Sequence, residues 1–162
     1  MKLPRGLVLP LAAGFTPVLL ALVMFFEGVS LKAYQDGASV WTICYGHTAR
    51  VKRGDVATMS QCVAWLREDL QNSIGAVDKH LKADVGWLCR VAHADFVFQM
   101  GETKYRGSTL LARSNAGDRN GAPNEFLRWV YVGGKDCRLA ASNCGGVVTR
   151  QQVRRELCLA AP

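Results

Sequence analysis

The six cysteines include no Cys-x-x-Cys pair, and the three histidines are few and scattered. Neither pattern suits a zinc site or another metal centre, and no cofactor is indicated. There is no zinc finger, no basic helix and no interleaving of aromatic with basic residues, so nucleic acid is not an expected partner. Internal repeats and low-complexity tracts are also missing, which argues against solenoids and long linkers. Charged residues make up only 20%, yet the formal net charge is +7. That surplus suits an anionic partner such as acidic lipid or an acidic wall polymer, and equally suits plain solubility. Charge is absent altogether from residues 7–26.

That uncharged stretch follows Lys2 and Arg5. Twenty residues at about 1.5 Å each span about 30 Å, one hydrocarbon core. Positive residues before it would keep the N-terminus cytoplasmic. Pro10, Gly14 and Pro17 make it a poor permanent anchor. A cleaved signal peptide is the alternative, although no good small-x-small site lies near its end.

Directly after it comes Phe26-Glu27-Gly28, then Gln35-Asp36-Gly37-Ala38, a tight-turn signal. Residues 39–45 alternate and are rich in β-branched and aromatic types, so a strand is expected, with Thr42 near the turn. Two carboxylates bracketing a short hairpin suggest glycoside hydrolysis, which needs one carboxyl as acid and a second, ionised one nearby. Apolar neighbours Phe25, Phe26 and Val29 favour Glu27 as acid, and a polar turn favours Asp36 as base. Thr42 could help hold a water. On spacing alone, Asp36 also reads as a turn residue and Glu27 as a surface group.

The wording of this stretch resembles the phage-type lysozyme (endolysin) family: Glu27, eight residues, Asp36, five residues, Thr42, then Gly46-His47-Thr48. Farther on, Phe98-Gln99-Met100-Gly101-Glu102-Thr103, Ser108-Thr109-Leu110-Leu111 and Asn115-Ala116-Gly117-Asp118 are similar to the family's helix, loop and helix beside the cleft. Many relatives carry Asn-Val-Gly where this chain has Gln99-Met100-Gly101. The resemblance implies an α+β, mostly helical, two-lobed lysozyme-like fold: a small β-hairpin lobe, a long connecting helix and a helical C-terminal lobe. It implies catalytic Glu27, Asp36 and Thr42, and substrate contacts at Thr48, Phe98, Gln99 and Ser108. The implied reaction cuts the N-acetylmuramic acid to N-acetylglucosamine β-1,4 bond of peptidoglycan, with inversion, to lyse a host cell. The rivals are a lytic transglycosylase and a non-catalytic, membrane-anchored wall-binding protein.

An uncharged run that stops at the acid resembles the signal-anchor-release subclass. Residues 1–26 would be the signal-anchor segment and 27–162 the lysozyme domain. The chain would sit in the inner membrane through residues 7–26, facing the periplasm. It would then leave as a monomer, with residues 17–26 refolding to deliver Glu27. The segment has no cysteine, so a switch that reshuffles a disulfide through it is not expected.

Elsewhere, Thr58-Met59-Ser60-Gln61 is a capping box. Apolar residues then recur at helical spacing from Cys62 to Leu81, with Asp69 either on the surface or paired with His47. Further helices are expected over residues 85–100, 108–115, 122–131 and 149–159, with a loop at 104–107. In the last helix Arg150, Arg154 and Arg155 read as the polar side. An even cysteine count in an exported chain suggests disulfides. Six cysteines allow 15 pairings; Cys44–Cys62, Cys89–Cys158 and the loop pair Cys137–Cys144 are expected, although all but the loop pair also read as buried thiols.

Overall fold

The computed structural model describes residues 2–36 and 39–161. The chain is mostly helical, with small antiparallel sheets. Its uncharged N-terminal run does not form one helix. It breaks into a short 3-10 turn, Leu11–Ala13, and helix α1, Phe15–Glu27. The break falls at Gly14, whose φ of 84° an L side chain rarely adopts. Pro17 sits in the first turn of α1, where its missing N–H costs nothing. Val18, Leu19, Leu22 and Val23 of α1 are fully buried, packed against the body, and Leu7 and Leu9 are buried as well. Among the described residues no helix is long and apolar enough to cross a membrane.

Strands β1, Ser30–Gln35, and β2, Trp41–Cys44, form the hairpin of the small lobe, with Tyr34 opposite Thr42. Strict alternation fails on β2: Thr42, Ile43 and Cys44 are all buried. Cys44 has a φ of 60° and is joined to Cys62, which turns the strand's end into the lobe.

Helix α2, Met59–His80, joins the lobes. Its start is set by the reciprocal bonds of Thr58 and Gln61. Thr58→Ala is expected to cost about 1 kcal/mol, read as a lower urea midpoint at unchanged slope. Helix α3, Trp87–Met100, is buried almost all round, as the central helix of a lobe must be. It packs against α1, α2 and the last helix.

Gly101, at φ 83°, separates α3 from α4, Glu102–Arg106. A loop was expected over much of α4. Tyr105 decides otherwise, because it is fully buried and its hydroxyl lies 2.9 Å from His93 Nδ1. Helix α5, Thr109–Asn115, follows, capped by Ser108. The helix expected over 122–131 is shorter: α6, Ala122–Glu125, a 3-10 turn, Phe126–Arg128, then strand β3, Tyr131–Val132. Gly133 and Gly134, both at positive φ, turn β3 onto β4, Lys135–Asp136. Helix α7, Gly145–Leu159, starts earlier than the spacing predicts. The disulfides are Cys44–Cys62, Cys89–Cys158 and Cys137–Cys144.

Candidate active site

Glu27 is the last residue of α1, and Gly28, at φ 66°, turns the chain away from it. Its side chain is 26% exposed and reaches a cleft of about 350 Å³. Gly46 and Thr48 line one side of that cleft, after β2. Asp69 and Ser73 of α2 line its floor, and Phe98 and Gln99 at the end of α3 line the far wall. The cleft therefore gathers Glu27, Thr48, Phe98 and Gln99 from three separate stretches of sequence.

Asp36 and Thr42 do not line this cleft; they sit together on the neighbouring hairpin. The Val40 N–H donates to Asp36 Oδ1 at 2.9 Å, and the Asp36 N–H donates to the Val40 carbonyl at 3.0 Å. The Thr42 hydroxyl donates to the same carbonyl at 3.1 Å. Val40 is thus the common anchor of both side chains. Ser108 lies elsewhere. It accepts the Leu111 N–H, donates to the Tyr105 carbonyl and lines a separate pocket with Arg128 and Trp129. Its oxygen caps α5 and its proton goes to α4, so the Ser108 hydroxyl is occupied locally.

His47 Nδ1 lies 2.8 Å from Asp69 Oδ2, and the His47 ring stacks on Trp65 at 5.0 Å. This pair ties the loop after β2 to α2 and holds Asp69 on the cleft floor. Cys89, His93 and Cys158 also come together in the core. Both sulfurs are joined in the disulfide, so the group offers no thiolate for a metal.

The largest departure from the sequence reading is at Glu27 itself. Its expected surroundings were apolar. Instead Arg150 Nη1 donates to Glu27 Oε1 at 2.5 Å. Arg150 and Arg154, expected on the polar side of the last helix, are 3% and 0% exposed. The cause is Asp95, fully buried on α3 and gripped by both guanidiniums. Burial opposes the charge on Asp95, but the two guanidiniums override it and hold its carboxyl below the usual range. Burial likewise opposes the charge on Arg150, and Asp95 with Glu27 more than compensates, so its pKa is raised. Arg154 is pushed down to about 10, chiefly by burial, and stays charged at neutral pH. A signal for this network was present: an acid inside the apolar run Ala94-Asp95-Phe96, and two arginines one helical turn apart.

Comparison with known proteins agrees with this architecture. A family model described as "Phage lysozyme" matches residues 24–154. A SAR-endolysin of Enterobacteria phage PA-2 is 37% identical over 134 residues, covering 82% of this chain and 77% of the relative. An endolysin of Acyrthosiphon pisum secondary endosymbiont phage 1 is 37% identical over 140 residues, covering 85% and 92%. Among solved structures, the muramidase domain of SpmX from Asticaccaulis excentricus superposes with a TM-score of 0.80 at 25% identity, covering 91% of this chain and 98% of that one. An endolysin from Escherichia coli O157:H7 phage FAHEc1 gives 0.76 at 27% identity, covering 99% and 94%. The family match spans most of the chain, includes the end of α1 with Glu27, and closes near the end of α7; this chain belongs to the phage lysozyme family.

Proposed function

We propose that the protein is an endolysin that hydrolyses the N-acetylmuramic acid to N-acetylglucosamine bond of peptidoglycan with inversion. Glu27 protonates the leaving oxygen, while Asp36 and Thr42 position and activate the attacking water. Thr48, Phe98 and Gln99 contact the glycan. One observation carries the reading: a carboxylate at the end of α1 meets an open cleft whose far wall is Phe98 and Gln99. The anchoring of both Asp36 and Thr42 at Val40 supports reading them as one pair. A glycosidase of this kind needs no cofactor.

We further propose that the first 26 residues serve twice. Before activation residues 7–26 lie in the inner membrane, with the enzyme on the periplasmic face. After release they refold as the segment that ends in α1. The SAR-endolysin names of relatives support this, as does the way burial of α1 sets Glu27 in place.

The test is release of soluble fragments from purified peptidoglycan by the parent and by Glu27→Gln. Loss of the acid is expected to lower turnover at least about 100-fold. Fragment masses carrying an added water identify hydrolysis; anhydro ends identify a transglycosylase. Binding without fragments from either protein would mark a wall-binding module instead.

A further inference from the structure

Glu27 and Gln99 stand on different elements, yet both are fastened to one buried group. Arg150 donates from Nε to Asp95 Oδ2 at 3.0 Å and from Nη2 to Asp95 Oδ1 at 2.6 Å. Its third nitrogen, Nη1, donates to Glu27. Arg154 donates from Nε to Asp95 Oδ2 at 2.6 Å and from Nη2 to the Asp95 carbonyl at 2.9 Å. Its Nη1 donates to Gln99 Oε1 at 2.8 Å. Each guanidinium is planar and rigid, so holding two of its nitrogens fixes where the third points. Phe26 stacks against Arg150 and Phe96 against Arg154, each about 5.4 Å from the ring centre, which limits tilting.

We infer that Asp95 is a positioning residue for the cleft: through two arginines, one buried carboxylate sets Glu27 on one wall and Gln99 on the other. The inference rests on the reading of Glu27 as the acid. Stability alone does not account for the network, because a buried ionic cluster is often matched or bettered by apolar residues of similar size. Asp95 lies between two cations, Arg150 and Arg154, and Arg150 extends the network to Glu27. The charges on Asp95, Arg150 and Arg154 persist at neutral pH, since Asp95 is held below its ordinary range, Arg150 above, and Arg154 falls only to about 10. The arrangement also fixes what Gln99 presents. Arginine has no acceptor, so the Gln99 oxygen must face Arg154. That leaves its N–H donors for the cleft, suited to a carbonyl or hydroxyl oxygen on the glycan.

The experiment measures kcat, KM and Tm on purified peptidoglycan fragments for the parent, Asp95→Asn, Arg150→Lys and the double variant Asp95→Asn/Arg154→Leu. The double variant removes one anion and one cation, so the net buried charge is unchanged and Arg150 keeps Glu27. It is expected to regain Tm lost by Asp95→Asn while kcat stays about 10–100-fold below the parent, the scale of a misplacement near 1 Å. KM is expected to stay within about threefold, as for an interaction made mainly in the transition state. Arg150→Lys keeps the charge, but one ammonium cannot span both carboxylates, so kcat falls similarly. This variant and the double variant decide the matter even if Asp95→Asn does not fold. Recovery of kcat along with Tm in the double variant, or parental kcat in Arg150→Lys, overturns the inference. Turnover that survives Glu27→Gln overturns the underlying reading instead, and the two failures are therefore distinguishable.

Discussion

A chain that begins at Glu27 is expected to show no cooperative thermal transition and no activity, although it keeps Glu27, Asp36 and Thr42. Removing residues 1–26 takes away Leu7, Leu9, Val18, Leu19, Leu22 and Val23, all buried. Each fully buried side chain of this size contributes roughly 1.5–3 kcal/mol. Discounted by about a third for compactness of the unfolded chain, their sum still rivals the roughly 5–15 kcal/mol that holds a domain folded. The truncation also uncovers the buried side of α3, which carries Asp95. Near-ultraviolet circular dichroism on heating, paired with peptidoglycan turnover, checks this. A sharp melt close to that of the full chain would mean the rest folds alone and α1 is an appendage.

This result bears on how one segment can serve two environments. A run without charge satisfies a bilayer and a protein core equally well, because both accept apolar surface. Gly14 breaks the run in the folded protein, and Pro17 is harmless only because α1 starts just before it. In water, α1 then finds in α3 the apolar contact that lipid would otherwise supply.

The same logic explains how much was legible in the sequence. Local signals were read well where chemistry is local. The capping box fixes the start of α2, and helical spacing carries it to His80. Reading fails where a partner far along the chain changes a residue's role. Arg150 and Arg154 look like a solvated helix face until Asp95, more than fifty residues away, draws them inward. Tyr105 looks like part of a polar loop until His93 gives its hydroxyl a buried partner. The proposed site reads as a motif, because Glu27, Asp36 and Thr42 lie close in sequence. The arginine that binds Glu27 does not, because only the folded chain brings α7 to the end of α1.

His93 should make the fold acid-sensitive well above the carboxylate range. It is fully buried on α3, between Tyr105 and Ser114, with its ring against Phe126. Burial, with the Arg90 charge adding to it, pushes its imidazole down from 6.5 to about 3. The unfolded chain therefore takes up a proton on this residue below pH 6.5, whereas the folded chain refuses it until about pH 3. The unfolded state binds more protons across that window, so stability falls as pH falls through it. At 1.36 kcal/mol per pH unit the loss reaches about 3 kcal/mol at pH 4. Asp95, with its carboxyl held low, withdraws its own contribution only below about 3.8, so the two effects separate on the pH axis. Urea midpoints measured from pH 8 to pH 4 should decline steadily for the parent. His93→Gln should be less stable at pH 8, having lost ring packing, yet nearly flat between pH 6.5 and pH 4, because nothing at that position titrates. Curves of equal slope for the two proteins would place the acid sensitivity in another group and remove His93 from the account.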